Sequence, residues 1–314
     1  MCKCNVWLST YIGGVENMFD YPVQEQVYAT TIGGQEPLRL FIVGGPAELA
    51  SGREVSEASE VSTASTPSAF SEAGEASPCS PGSMARQGRP AILFFHGAGF
   101  TTHKKRPEQF QHHAAHFASL RFVAICVEYR PPSREGLFSP LESLSHAKSA
   151  VRWVRSNASV LQVNPDKIAL AGASAGGYLS LCCAMVPGFS NATDDLAVSC
   201  VPDALVIFNG GVDAEALLPL FPLEAANLAT ASPLLHVQGG LPPSLFFHGT
   251  EDANIPHATI QTFTEHMRLV GNESTISTFA GMGHGFFNYG SHDNVPYQRT
   301  LEESEHFLKH HGFL

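Results

Sequence analysis

The amino-acid sequence predicts an α/β fold built on a mostly parallel central sheet with helices on both faces. Three features point there. Short continuous apolar runs, such as Ala91 to Phe95 and Ala204 to Phe208, read as strands buried on both faces. Segments with helical spacing fall between those runs, so strands and helices alternate along the chain. Two further strand-like stretches flank Gly33-Gly34 near the start and form an N-terminal β-hairpin.

In order along the chain, Gln26 to Thr31 and Pro37 to Val43 are the hairpin strands. From about Pro46 the composition shifts to Ser, Ala, Glu, Gly and Pro, and residues 47–89 bury too little apolar surface to offset the entropy of ordering them. This stretch is expected to be a disordered insertion in one domain spanning 1–314, because some 40 residues before it are too few for a core. Ala91 to Phe95 is the next strand, Pro107 to Leu120 a helix, and Phe122 to Tyr129 a strand. A helix over Leu141 to Asn157 puts Ala147, Ala150, Val151 and Val154 on one face. Ile168 to Ala171 is a strand that runs into a helix after Ser174. Strands follow at Ala204 to Phe208, Ser244 to Phe247 and Thr275 to Phe279, with helices at Ala258 to Val270 and Gln298 to Lys309.

The formal net charge of −11 disfavours electrostatic attachment to nucleic acid, which needs clustered cations to displace phosphate counterions. No stretch approaches the roughly 20 apolar residues of a membrane helix. The first residues lack a charged segment followed by a long apolar core, so no secretory signal is expected and a cytoplasmic location is the default. The seven cysteines have no paired metal-ligand spacing.

The chemistry is carried by four segments. Lys167 to Gly177 runs strand, Gly172-Ala173-Ser174-Ala175-Gly176, helix. This G-x-S-x-G pattern makes a tight strand-to-helix turn that presents the Ser174 hydroxyl above the helix N-terminus. A serine hydroxyl needs an adjacent base, which in such sheets follows in the order acid, then histidine, on later loops. Asp252, in Phe247-His248-Gly249-Thr250-Glu251-Asp252, is the acid candidate, with Glu251 as its competitor. His284, in Gly281-Met282-Gly283-His284-Gly285-Phe286-Phe287, is the base, its flanking glycines permitting a sharp loop. His248 precedes the acid and is read as a structural neighbour. Phe94-Phe95-His96-Gly97-Ala98-Gly99-Phe100 varies the glycine-rich loop that donates N–H groups to an oxyanion. Ala98, Gly99 and Ala175 are the candidate donors, and His96 braces the loop.

With these segments in this order, the chain resembles the α/β-hydrolase esterases related to hormone-sensitive lipase. Within them it is similar to bacterial acetyl-esterase and feruloyl-esterase-like carbohydrate esterases. Val127-Glu128-Tyr129-Arg130, Ala150 to Arg155 and Phe247 to Asp252 look like that group's strand and helix signatures. The resemblance covers roughly Pro90 to Tyr289 and implies an α/β-hydrolase fold, a Ser-His-Asp triad and short-acyl or carbohydrate esters as substrates. No metal or organic cofactor is required by this chemistry.

Phe100, Phe286 and Phe287 flank the catalytic loops and are candidates for an apolar acyl pocket, with core packing as the alternative. The stretch from Gly210 to Gly240, with Leu217, Leu218, Leu220 and Phe221, is expected to form a small flap. Glu128, Arg130 and Arg152 are expected to pair internally rather than meet substrate. His112 and His116, spaced i, i+4, lack a third metal ligand. Two other functions share parts of this pattern: a peptidase of the prolyl-oligopeptidase type, which has the same triad order, and a hydrolase-fold module that binds without turnover.

Overall fold

The computed structural model describes residues 18–31, 37–43, 88–97, 99–100, 106–129 and 139–314. The segment read as an insertion therefore lies outside the described residues up to 87, as do Gly33-Gly34, Ala98 and Arg130. Arg89, placed above with that segment, instead opens a strand: its N–H donates to the Gln162 carbonyl at 2.8 Å.

Eight strands form one sheet: β1 (Gln24–Thr30), β2 (Pro37–Val43), β3 (Arg89–Phe95), β4 (Val123–Val127), β5 (Val163–Ala173), β6 (Ala204–Phe208), β7 (Ser244–Gly249) and β8 (Ser274–Phe279). Their spatial order is β1-β2-β4-β3-β5-β6-β7-β8. The hairpin β1/β2 and the β2/β4 pair are antiparallel, and every other pair is parallel.

The apolar runs divide by alternation. Leu93, Phe95, Ile125, Val127 and Leu170 face one core, and Ile92, Phe94, Ala124, Cys126, Ala169 and Ala171 face the other. Helices α2 (Pro140–Ser156), α3 (Ala175–Met185) and α5 (His257–Leu269) cover the first face; α1 (Gln111–Ser119) and α6 (Val295–His310) cover the second. The short helix α4 (Ala225–Thr230) lies after β6. Ala147, Ala150, Val151 and Val154 of α2 are fully buried, as their spacing predicts, and Ser139 caps that helix by accepting from the Glu142 N–H.

Several elements differ in their bounds from the sequence reading, β5 most of all, since it begins at Val163 and not at Ile168. The expected helix from Pro107 is a 3-10 turn (Pro107–Phe110) followed by α1. The last helix begins before Gln298, because Pro296 sits in the first turn, where its missing N–H costs nothing. The expected flap is two 3-10 turns around α4. It is pinned where Phe221 meets Phe100 edge-on at 6.4 Å and where the Tyr178 hydroxyl donates to the Ala231 carbonyl. Leu220 and Leu223 stay exposed on its outer side. No helix among the described residues is long and apolar enough to cross a membrane.

The connection from β3 leads to β4 on one side, and that from β5 leads to β6 on the other. Adjacent strands whose connections depart in opposite directions open a crevice at their carboxyl ends. The loop Gly97 to Phe100 and Ser174 flank that crevice.

Candidate active site

Ser174 directly follows β5 and sits at the N-cap of α3 with φ 51° and ψ −116°, a left-handed backbone that a side chain rarely adopts. It is half-buried while Gly172, Ala173, Ala175 and Gly176 around it are buried. Its N–H is held by the Phe208 carbonyl at 2.9 Å. The strain is imposed by close backbone packing. A Cβ on Gly176 would lie 2.0 Å from the Phe95 carbonyl oxygen, and one on Gly172 would lie 2.3 Å from that of Gly176. The glycines two before and two after the serine are therefore required by contact. Ala175 opens α3, so its N–H is among the first-turn donors that a helix leaves without an internal acceptor.

The loop after β3 runs beside the serine. A Cβ on Gly97 would come 3.5 Å from the Ser174 Cβ. Gly99 has φ 58°, and Ala98, one of the three expected oxyanion donors, lies outside the described residues. His96 braces the loop as expected. Its Nδ1 lies 2.7 Å from the Gly97 carbonyl, and its ring stacks at 4.6 Å on Tyr129, whose hydroxyl donates to the His96 carbonyl.

Asp252 and His284 are brought together from the loops after β7 and β8. The His284 Nδ1–H donates to Asp252 Oδ2 at 2.8 Å; the carboxylate is buried and the imidazole one-quarter exposed. Burial, the largest influence on Asp252, raises its pKa. Hydrogen bonds from His284 and from the Ile255 and Asn254 N–H groups outweigh it and hold the carboxyl below its usual value. Glu251, the competing carboxylate, is exposed. His248 is buried, and its Nε2 lies 2.8 Å from the Ile255 carbonyl and 3.4 Å from Asp252 Oδ2. Burial lowers its pKa, so it stays neutral beneath the acid, the structural neighbour anticipated above.

The three phenylalanines separate. Phe286 and Phe287 are 2% and 1% exposed and pack into the second core, Phe286 against Phe279 at 4.4 Å and Phe287 against Phe208 at 4.8 Å. Phe100 packs in the first core, edge-on to Tyr178 and Phe221. Glu128 pairs with Arg39, and Arg152 pairs with Asp194 at 2.8 Å, so both are internal. His112 and His116 have separate partners: Tyr21 for the former and Glu305 for the latter.

Three site residues were not singled out from sequence. Asn209, at the end of β6, is buried with φ 47°, and its Nδ2 donates to Asp252 Oδ2 at 2.9 Å. Gln109 accepts from the Gly97 N–H at 2.7 Å, and Asn288 accepts from Gln109 at 3.0 Å. Only Asn209 left a signal, as a polar residue at the carboxyl end of an apolar strand.

The BD-FAE family matches residues 81–204. The chain is 27% identical over 205 residues to a probable carboxylic ester hydrolase, LipM, of Mycobacterium tuberculosis, covering 60% of this chain and 47% of that protein. It thus spans about half the length of the curated relatives it matches. It is also similar to solved structures of esterase 2 from Thermogutta terrifontis. One, phosphoramylated by tabun, is 31% identical with a TM-score of 0.75, covering 96% of this chain and 99% of that one. Another, propionate bound, is 32% identical with a TM-score of 0.73, covering 95% and 97%. With more than 30% identity over nearly the whole of both chains, the chain belongs to the α/β-hydrolase esterases.

Proposed function

We propose that this protein hydrolyses short-acyl carboxylic esters through an acyl-enzyme on Ser174. The observation that carries this reading is Ser174 itself, held half-exposed in a strained conformation at the crevice above the first turn of α3. Backbone strain persists only where the surroundings enforce it, and it concentrates where a group must be presented for reaction.

In this mechanism the Ser174 Oγ attacks the ester carbonyl while His284 Nε2 takes its proton. The oxyanion is held by the N–H groups of Ala98, Gly99 and Ala175. His284 then gives the proton to the departing alkoxide as the C–O bond breaks. A water, deprotonated by the same imidazole, attacks the acyl carbonyl and frees Ser174 and a carboxylic acid. Asp252 keeps the His284 Nδ1 protonated and stabilises the imidazolium that forms. Phe100 is the proposed wall of the acyl side, backed by Tyr178 and Phe221. Phe286 and Phe287 support the histidine loop from the core. A propionate-bound relative supports a short acyl group; an acetylated or feruloylated carbohydrate as the alcohol part follows from the resemblance alone.

The test is turnover of a p-nitrophenyl series from acetate to octanoate. Acetate to butyrate are the expected substrates, and Ser174→Ala is expected to lower kcat by about 10⁴-fold or more with the fold intact. Stoichiometric binding with no release of p-nitrophenol would identify a binding module instead, and an active Ser174→Ala would identify another nucleophile.

A further inference from the structure

The loops that carry the oxyanion donors and the base are joined by neutral amides. The Gly97 N–H donates to Gln109 Oε1 (2.7 Å), and Gln109 Nε2 donates to Asn288 Oδ1 (3.0 Å). Asn288 Nδ2 donates to the Gly285 carbonyl (2.7 Å), and the Gly285 N–H donates to Asn209 Oδ1 (3.2 Å). Asn209 Nδ2 donates to Asp252 Oδ2 (2.9 Å), the same oxygen that receives the His284 Nδ1–H. All five bonds run in one direction, from the oxyanion loop to the acid. Because a backbone N–H only donates, the orientations of Gln109 and Asn209 are fixed at the two ends, and Asn288 follows.

We propose that Gln109, Asn288 and Asn209 act together as positioning residues that fix the oxyanion loop relative to the Asp252–His284 pair. This rests on the reading of Ser174, His284 and Asp252 given above. Within Gly285 the chain passes from one peptide unit to the next, so it is a mechanical link and carries no proton. It also engages the Gly97 N–H, which ties the start of that loop to the chain of amides. None of the three amides titrates, so they add no charge beside the buried Asp252 carboxylate, whose ionised form the bond from Asn209 favours. Asn209 suits its place because asparagine tolerates a positive φ.

A mutant cycle on p-nitrophenyl acetate tests this with Gln109→Met, Asn209→Asp and the double variant. Each single change breaks the chain. Each is expected to lower kcat about 10-fold with KM within about twofold, as misplacement of catalytic groups does. The double variant is expected to lose about 10–20-fold, since a broken link is not broken twice. Asn209→Asp adds a carboxylate next to Asp252, so the acid limb of its kcat/KM profile should also move to higher pH, while Gln109→Met leaves that limb in place. A merely structural role would lower the unfolding midpoint of each variant and leave kcat of the folded protein at the parent value. Should Asn209→Asp fail to fold, Asn209→Gly keeps the backbone conformation and replaces it in the cycle. Single variants with wild-type kcat, or a double loss near 100-fold, would overturn the chain. Ser174→Ala is assayed alongside: an active wild type with an inert Ser174→Ala confines any failure to the amide chain, whereas a wild type without turnover overturns both proposals.

Discussion

His113 offers a quantitative test of the packing that supports the site. It lies on α1, 1% exposed, and neither ring nitrogen has a hydrogen-bond partner among the described residues. Its neighbours in ring contact are the Phe110, Phe208 and Tyr297 rings at 5.1, 5.5 and 4.8 Å, Phe287 of the histidine loop at 6.2 Å and Phe94 at 6.3 Å. Burial, helped by the nearby His112 and His116, pushes its pKa from 6.5 to about 3. At pH 7 both folded and unfolded chains hold this imidazole neutral, and it contributes nothing to pH dependence. Below 6.5 the unfolded chain takes up a proton that the folded chain refuses until pH 3, so stability falls by about 1.4 kcal/mol per pH unit in that window. Between pH 7 and pH 5 the loss is about 2 kcal/mol. His113→Leu replaces two unsatisfied nitrogens with apolar surface and removes this slope. Urea unfolding of both proteins at pH 7 and pH 5 gives the comparison: the variant should lose about 2 kcal/mol less than the parent over that interval. Equal losses would show that the imidazole is hydrated or paired and that the aromatic cluster is open to water.

Asp252→Asn is expected to lower kcat by about 10³–10⁴-fold in a p-nitrophenyl acetate assay, while Glu251→Gln, at an exposed position, stays near the parent. The reverse ranking would move the acid by one residue. Gly176→Ala should give an unfolded or strongly destabilised protein by thermal melt, because its Cβ would meet backbone atoms at 2.0 Å. Gly283→Ala, with nothing nearer than the Glu251 carbonyl oxygen at 3.8 Å, should melt close to the parent. Lys148, buried in α2, donates from Nζ to the Val186 and Gly188 carbonyls at 2.6 Å, just beyond the end of α3. Lys148→Met should cost about 2 kcal/mol in urea unfolding and leave kcat at 25 °C unchanged. An unaltered unfolding midpoint would mean that those carbonyls find other donors.

The sheet was legible because its strands are buried on both faces and so carry an apolar run whichever way each residue points. Val163 of β5 escaped because Asn164-Pro165-Asp166-Lys167 interrupts the run. The ladder shows the same break, since the register between β3 and β5 shifts between Arg89 and Ala91. Ser174, Asp252 and His284 stood out because loops at strand ends have little other reason to hold such residues in that order. Phe286 and Phe287 could not be divided between pocket and core by type, since both environments favour an aromatic ring. Gln109 and Asn288 gave no signal at all. A half-buried amide in a 3-10 turn and another in a loop look like solvated residues until folding closes the sequence separation of 179 between them.

The way the loops are held explains why amides occupy the gaps. Gly249 ends β7 so close to the histidine loop that a Cβ there would sit 2.1 Å from the Met282 carbonyl, just as Gly176 lies against Phe95. Main chains meet at both points, fixing the approach of the acid loop to the base loop and of the serine turn to the oxyanion loop. The distance left to set is the one between these two pairs, across the mouth of the crevice. A charged link there would bring a second ion near Asp252, whose buried carboxylate is already satisfied by His284, Asn209 and two backbone N–H groups. An apolar link would leave the Gly97 and Gly285 N–H groups without acceptors. A side-chain amide accepts at one end, donates at the other and carries no charge, which is what both gaps require. On this argument Asn209→Asp should do more harm than Asn209→Gly to the pH dependence and less to the histidine loop, because aspartate keeps the acceptor for Gly285 and glycine keeps neither bond. Proton exchange of the Gly285 amide distinguishes the two variants. Slower exchange in Asn209→Asp than in Asn209→Gly is expected, and equal rates would mean that the loop is fixed by its backbone contacts alone.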